Sequence, residues 1–404
     1  MRALMGRPIR VLAADDSAVM RGIMRNLFAA HAEDRSSELP RMELCGVARD
    51  GVECLEAVNE LRPDVLVLDL EMPRLNGLEV LERLRTENAA LPVIMCSAHT
   101  EHGARSTLEA LARGASDYVM KPSAQRNFAE ALQSLSLQLL PKIAALAKGG
   151  TRRGPESGEQ AGKRFRVASA EARSRPGASV EVIVIGLSTG GPSALEHLLP
   201  KLPRDFAVPI LIVQHMPKLF TGALAERLDH CCALQVEEAY DGAVIRPGVI
   251  WLAPGDSHME VAPRRMMLGD PEGLRSSRIR LHQREPLNHC RPSVDYLFHS
   301  AARVYGAGAL ALMMTGMGSD GLEGARAIHQ RGGIVLAQDE ATSAVWGMPG
   351  RVSEAGIASA TLPLWALAGE LEQRVSAGRA MRAEAGLPTV DALSVRREVM
   401  HGLY

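Results

Sequence analysis

Three separated polar residues each follow an apolar run and together could perform acyl transfer. Ser188 lies in EVIVIGLSTGGP (181–192), His215 in VQHMPKLFT and Asp320 in TGMGSDG. A serine hydroxyl is too poorly ionised to attack an ester or amide near neutral pH. It needs a base to take its proton and a carboxylate to orient that base. Gly186 to Gly190 reads G-x-S-x-G, the pattern of a tight strand-to-helix turn that exposes a serine oxygen. Pro192 suits the first turn of a following helix, where its missing N–H costs nothing. The free amides of that helix end would face a developing oxyanion. The chain order Ser, His, Asp differs from the α/β-hydrolase order, in which the acid precedes the histidine. Other readings stand beside this one. The glycine turn would also bind phosphate or serve structure alone, and Asp320 would also cap a helix beginning near Gly321. His258 and His289 are rival bases. Cys232 and Cys290 are nucleophiles in principle, though neither sits in a recognisable turn.

A second group lies near the amino terminus. Asp15 and Asp16 follow one apolar run and Asp69 ends another. Three carboxylates drawn together repel one another unless a hard divalent cation sits among them, and Mg²⁺ prefers oxygen ligands. A carboxylate beside Mg²⁺ is an acceptor for phosphoryl transfer, and Lys121 would offset charge on the bound phosphoryl group.

Parallel α/β units would position both groups. Residues 8–140 alternate strand-like and helical patterns (IRVLAADD, MELCGVARD, DVLVLDL, PVIMCSA, DYVMKP), which predicts a five-stranded, doubly wound parallel sheet. In such sheets functional groups gather at the carboxyl ends of the strands, where Asp15, Asp16, Asp69, Ser97 and Lys121 all fall. Residues 148–179 carry eight basic and three acidic side chains with no sustained apolar period and read as a tether. The alternation resumes with EVIVIGLS and PILIVQH, passes through short strands around VIRPGVIWLAPG and RRMMLGD, and ends with ALALMMTGMG and GGIVLAQD. The tail holds a candidate short helix, DALSVRREVMHGLY. The expected boundaries are 8–130, an interdomain helix and linker at 131–179, a second domain at 180–375 and an extension at 376–404.

At 404 residues and 46% hydrophobic content, the chain predicts two globular domains. A formal net charge of −1 gives no global field toward nucleic acid or membrane. The six cysteines form no C-x-x-C pair and the twelve histidines no metal-binding spacing, so a reducing cytoplasm is expected and a catalytic zinc site is not. The opening MRALMGRPIR lacks the apolar core of a secretion signal, and no apolar run is long enough to span a bilayer.

VLAADDSAVMR, LDLEMPRLNGLEVL, PVIMCSA and GASDYVMKP together resemble a response-regulator receiver domain. The resemblance implies Asp69 as phosphoacceptor, with Asp15, Asp16, Asp69 and the Glu71 backbone carbonyl around Mg²⁺. It further implies Ser97, Tyr118 and Lys121 as switch residues; Ser97 stands where many receivers have threonine. IGLSTGGP, QHMPKLFTGALAERL, WLAPGDSHM, RPSVDYLF, TGMGSDG and AQDEATSAVWGMPG resemble the chemotaxis protein-glutamate methylesterase family, CheB. That likeness implies Ser188, His215 and Asp320 as a triad, the Met317 amide in the oxyanion hole, Thr189 as an auxiliary hydroxyl and a mostly parallel sheet. Leu187 replaces the small residue often found there.

The combined resemblance implies a phosphorylation-activated serine hydrolase needing no cofactor for its ester chemistry. Its implied substrates are γ-glutamyl methyl esters and specific glutamines on methyl-accepting chemotaxis receptors, and its phosphodonor a chemotaxis histidine kinase. Two rivals are a response regulator whose output is binding without catalysis, and the same esterase in an array with a non-motility output. The chain shows no helix-turn-helix pattern or dense basic stripe, which weighs against DNA.

Overall fold

A computed structural model describes residues 7–87, 90–98, 100–122, 127–150, 179–263 and 277–384. The chain separates into two compact units, divided between the last helix of the first and the first strand of the second. The RRMMLGD run, most of the tether and the DALSVRREVMHGLY segment lie outside the described residues.

The first unit runs β1 (Ile9–Ala14), α1 (Ala18–Glu33), β2 (Met42–Ala48), α2 (Gly51–Leu61), β3 (Val65–Asp69), α3 (Gly77–Glu87), β4 (Val93–Ser97), α4 (Glu101–Ala112), β5 (Asp117–Met120) and α5 (Phe128–Gly150). Its five strands are ordered β2-β1-β3-β4-β5 and every pairing is parallel. Each residue of β3 and β4 is buried, as expected of strands covered by helices on both faces. α5 belongs to this unit: its Leu135, Leu139 and Ile143 are fully buried, and Lys142 pairs with Asp117 at 2.9 Å. The expected break at residue 130 therefore falls inside a packed helix, because its apolar stripe covers the sheet.

The second unit continues with β6 (Val182–Leu187), α6 (Gly191–Leu198), β7 (Ile210–Gln214), α7 (Lys218–Cys231), β8 (Gln235–Glu238), β9 (Val249–Leu252), β10 (His258–Ala262) and β11 (Arg278–His282). It ends with α8 (Val294–Tyr305), β12 (Ala309–Met313), α9 (Leu322–Gln330), β13 (Ile334–Gln338), α10 (Met348–Glu354), β14 (Ala360–Leu362) and α11 (Leu364–Glu384). Seven strands form a sheet ordered β14-β13-β12-β6-β7-β9-β8, all parallel. β10 and β11 make a separate antiparallel pair. From central β6 the chain first proceeds to β7 on one side and returns later to β12 on the other. That reversal opens a crevice at the carboxyl ends of these strands, the customary place for a site in an open parallel sheet. α11 runs without interruption through residue 375, so the expected extension begins within a helix.

β6 is buried throughout, and α8 packs so closely on it that a Cβ at Gly186 would lie 2.4 Å from Val294 Cγ1. A branched side chain fixed at the start of a helix has little room to yield. We expect Gly186→Ala to destabilise this unit by about 1–3 kcal/mol, read as a lowered denaturation midpoint with unchanged m-value. A midpoint equal to wild type would show that α8 can shift freely.

Candidate active site and phosphoacceptor pocket

In the second unit, β6 ends at Leu187 and the chain turns at once through Ser188, Thr189 and Gly190 into α6. Gly190 has φ of 76°, a conformation costly for residues with a side chain. Pro192 falls in the first turn of α6. The turn is tied down on both sides: Ser188 N–H donates to Thr315 O at 3.0 Å, and Gln214 Nε2 donates to Ser188 O at 3.0 Å. Thr315 Oγ1 donates to Thr189 O at 2.9 Å. Leu187 is paired with Gln214, the last residue of β7, so Ser188 and His215 extend from the ends of adjacent strands. The loop after β12 presses on Ser188, since a Cβ on Gly316 would come within 2.9 Å of Ser188 Cβ. Met317, next in that loop, is half-buried, and its N–H meets no acceptor among the described residues.

Asp320 closes the same loop and is almost wholly buried, with 3% exposure. Its Oδ2 accepts from His215 Nε2 at 2.8 Å and from Val294 N–H at 2.6 Å. Its Oδ1 accepts from Ser293 Oγ at 2.8 Å and Asn288 Nδ2 at 2.9 Å. The carboxylate therefore caps the start of α8, where the helix dipole favours negative charge, and is not the side-chain cap of α9. Burial favours the neutral acid, but His215 and the Asn288 and Ser293 donors outweigh it and hold the carboxyl at about 2.

His215 is held at Nε2 by Asp320, so its Nδ1 is the ring nitrogen left for other chemistry. Cys290 Sγ lies 3.6 Å from that Nδ1. Burial pushes the imidazole down, yet Asp320 and Cys290 together raise it to about 9. The rival residues are placed differently. His258 is fully buried: Nδ1 accepts from Ser293 N–H at 3.2 Å and Nε2 donates to Glu285 O at 3.2 Å. With both nitrogens engaged it is unsuited to proton transfer. His289 is exposed in the turn before Cys290, with φ of 62°. Burial and neighbouring Cys231 push the Cys232 thiol up to about 12, leaving little thiolate.

Sequence reasoning missed Asn288, Ser293 and the Val294 amide, which hold the buried carboxylate. The legible signal was the R-P-S-V-D string, with Ser293 at the N-cap position of α8. Cys290 was weighed there only as a nucleophile outside any recognisable turn, and no residue near it in the chain signals His215.

In the first unit, Asp15 and Asp69 are buried while Asp16 is exposed. One carboxylate oxygen from each lies within 4.8 Å of the others, a hard, oxygen-only donor set that suits Mg²⁺. Lys121 Nζ reaches Asp15 Oδ2 at 2.9 Å and Asp69 Oδ2 at 2.7 Å. Burial, then Asp15, raises the Asp69 carboxyl to about 6 against the pull of Lys121. A cleft lined by Asp16, Glu71, Asn76 and His102 opens beside the cluster. Ser97 Oγ is fully buried and accepts from Thr107 Oγ1 at 2.7 Å. Tyr118 is buried too, its ring covered by Lys142 Nζ 5.1 Å from the centroid.

An imidazole raised to about 9 must lose a proton before it can accept one, so a reaction with His215 as its base is expected to be pH-dependent. The protonated fraction falls as pH rises, so we expect kcat/KM to climb between about pH 7 and 9. In Cys290→Ser, which removes one of the raising partners, the limb should move to lower pH. A wild-type rate already flat at neutrality would contradict this assignment of the titrating group.

Known proteins match this chain along nearly its whole length. A family model described as CheB methylesterase matches residues 183–371, and one described as response regulator receiver domain matches residues 11–133. A Nocardioides protein named protein-glutamate methylesterase/protein-glutamine glutaminase is 42% identical over 94% of this chain and 98% of its own length. A Trichodesmium erythraeum protein of the same name is 42% identical over 91% of this chain and 99% of its own. A Thermotoga maritima protein of that name is 37% identical over 91% of this chain and 99% of its own. The chain belongs to the receiver-linked CheB methylesterase family.

Proposed function

We propose that this protein hydrolyses γ-glutamyl methyl esters, and deamidates specific glutamines, on methyl-accepting chemotaxis receptors under control of phosphorylation at Asp69. The observation that carries this reading is the buried Asp320 carboxylate bonded to His215 beside the Ser188 turn, at the crevice of a parallel sheet. We place the receiver at residues 8–130 together with the rest of α5, and the esterase at residues 180–375. No helix among the described residues is long and apolar enough to cross a membrane, and a cytoplasmic location accords with a receptor's cytoplasmic modification sites.

In the proposed mechanism Ser188 Oγ attacks the ester carbonyl carbon while its proton passes to His215 Nδ1. Nδ1 is the base because Nε2 is already committed to Asp320. Catalytic hydrogen bonds of a free enzyme commonly tighten only with substrate bound, and the Ser188–His215 contact is assigned to that complex. The Met317 N–H donates to the oxyanion, with Thr189 supplying a second hydroxyl at the turn. Collapse of the intermediate breaks the acyl–oxygen bond, and methanol leaves with the proton from His215. Water then attacks the glutamyl–Ser188 ester by the same route, releasing glutamate and restoring the serine. With glutamine the leaving group is ammonia. Asp320 keeps His215 in one tautomer and offsets its positive charge throughout.

In the receiver, Asp15, Asp16 and Asp69 with the Glu71 carbonyl are the residues to hold Mg²⁺, which would neutralise charge on the incoming phosphoryl group. A chemotaxis histidine kinase is the proposed donor. Lys121 spans Asp15 and Asp69 and would exchange one of these partners for the phosphoryl oxygens. Ser97 would leave Thr107 to join it, with Tyr118 re-packing in response.

Ser188→Ala should lower methanol release from methylated receptors by several orders of magnitude while leaving Asp69 phosphorylation intact. Near-normal release by the folded variant would remove Ser188 as nucleophile. For control, we expect the isolated fragment 179–384 to outpace the unphosphorylated full chain, and Mg²⁺ with a small phosphodonor to accelerate the full chain but not Asp69→Asn. A tethered receiver has high effective concentration, so even a weak inhibitory contact would suffice. A fragment no faster than the unphosphorylated chain would overturn inhibition by the receiver.

A further inference from the structure

We infer that His215 and Cys290 form a site for a thiophilic divalent cation such as Zn²⁺, and that its occupancy turns the hydrolase off. The binding part stands on geometry alone; the inhibitory part rests on the assignment of His215 as base.

Cys290 Sγ and His215 Nδ1 are 3.6 Å apart. A tetrahedral zinc ion with bonds of about 2.3 Å to sulfur and about 2.0 Å to nitrogen separates those ligands by roughly 3.5 Å. The two side chains thus already stand at bridging distance. The ring is also turned the right way. Its Nε2 donates to Asp320 Oδ2 at 2.8 Å, which keeps a proton there and turns Nδ1 toward the sulfur. A carboxylate on the far nitrogen is the usual outer partner of a metal-bound histidine, orienting the ring and raising its basicity. Ligand atoms from His215, Cys290 and Asp320 all lie within 4.8 Å of one another. Asp320 acts through the imidazole, because its oxygens are occupied by Val294, Ser293 and Asn288.

Position adds to the argument. Cys290 is partly exposed in the turn leading to Ser293, so an ion can reach it from solvent. Binding releases the thiol proton to solvent, together with the Nδ1 proton of the cationic imidazole near neutral pH, and the freed sulfur and nitrogen lone pairs hold the ion, with water completing the coordination. A metal there removes the acceptor for the Ser188 proton. The soft sulfur and imidazole select against Mg²⁺, whose oxygen-only set lies in the receiver unit. One chain therefore carries two cation sites of opposite chemistry.

The test uses the full chain with CdCl₂ as spectroscopic probe, followed by ZnCl₂ in the methanol-release assay. The adjacent Cys231 and Cys232 are the rival thiols, so the variants are Cys290→Ser, Cys290→Ala and the double variant C231S/C232S. Wild type and C231S/C232S should show the ultraviolet thiolate-to-cadmium band saturating at about one equivalent. Both should lose activity to Zn²⁺ and regain it with a chelator, while MgCl₂ inhibits neither. Either Cys290 variant should lose the band and need about tenfold more Zn²⁺, or beyond, for the same fractional inhibition. A band and inhibition that survive both Cys290 substitutions, or vanish in C231S/C232S, would overturn the proposal. A Cys290-dependent band in a protein that releases no methanol would sink the hydrolase reading while supporting the metal site.

Discussion

The second unit is organised around one buried charge. An ionised carboxylate almost removed from water costs several kcal/mol unless its oxygens are filled with donors. Asp320 meets that demand with His215, Asn288, Ser293 and Val294, drawn from two segments that are distant in the chain. To bring them together, the loop after β12 must cross to the start of α8, and β7 must end beside β6. Gly186 allows α8 to approach the sheet, and His258 fixes the Ser293 amide from beneath. The same bonds that make the charge tolerable hold the imidazole in one tautomer. Stability of the crevice and readiness for proton transfer are thus parts of one network.

The receiver unit solves a related problem by a different route. Asp15 and Asp69 face each other with one lysine between them, which is partial compensation. Burial first, and then the neighbouring Asp15 charge, keep the Asp69 carboxyl raised despite Lys121. Where Asp320 is saturated with hydrogen bonds and ionised firmly, Asp69 is left needing a partner. That contrast matches the proposed roles, since an orienting carboxylate should be inert and a phosphoacceptor should not. Ser97 is bonded to Thr107, and Tyr118 is covered by Lys142.

Much of this was legible from residue order alone. β-branched runs ending in Gly, Ser, His or Asp announce strands of a parallel sheet with polar carboxyl ends, and the chemistry of such ends brings forward Ser188, His215 and Asp320, with His258 and His289 as rival bases. Asp15, Asp16, Asp69 and Lys121 were legible on the same ground. Domain edges were less so. The residue-130 boundary cuts into α5 because its apolar stripe looks no different from that of a connecting helix until the sheet beneath it is seen.

Other features had no local signal. Which nitrogen of His215 faces Asp320, and so which one is free, depends on ring orientation that packing decides. Cys290 meets His215 across 75 positions of chain. His258 reads equally well as a base until its two nitrogens are found bonded in the interior. The sequence by itself determined the alternation of strands and helices and the residue types at the strand ends, because periodicity and turn chemistry are local. Only the tertiary structure decided the partners of each carboxylate and imidazole, because desolvation and hydrogen bonding depend on what lies near in space.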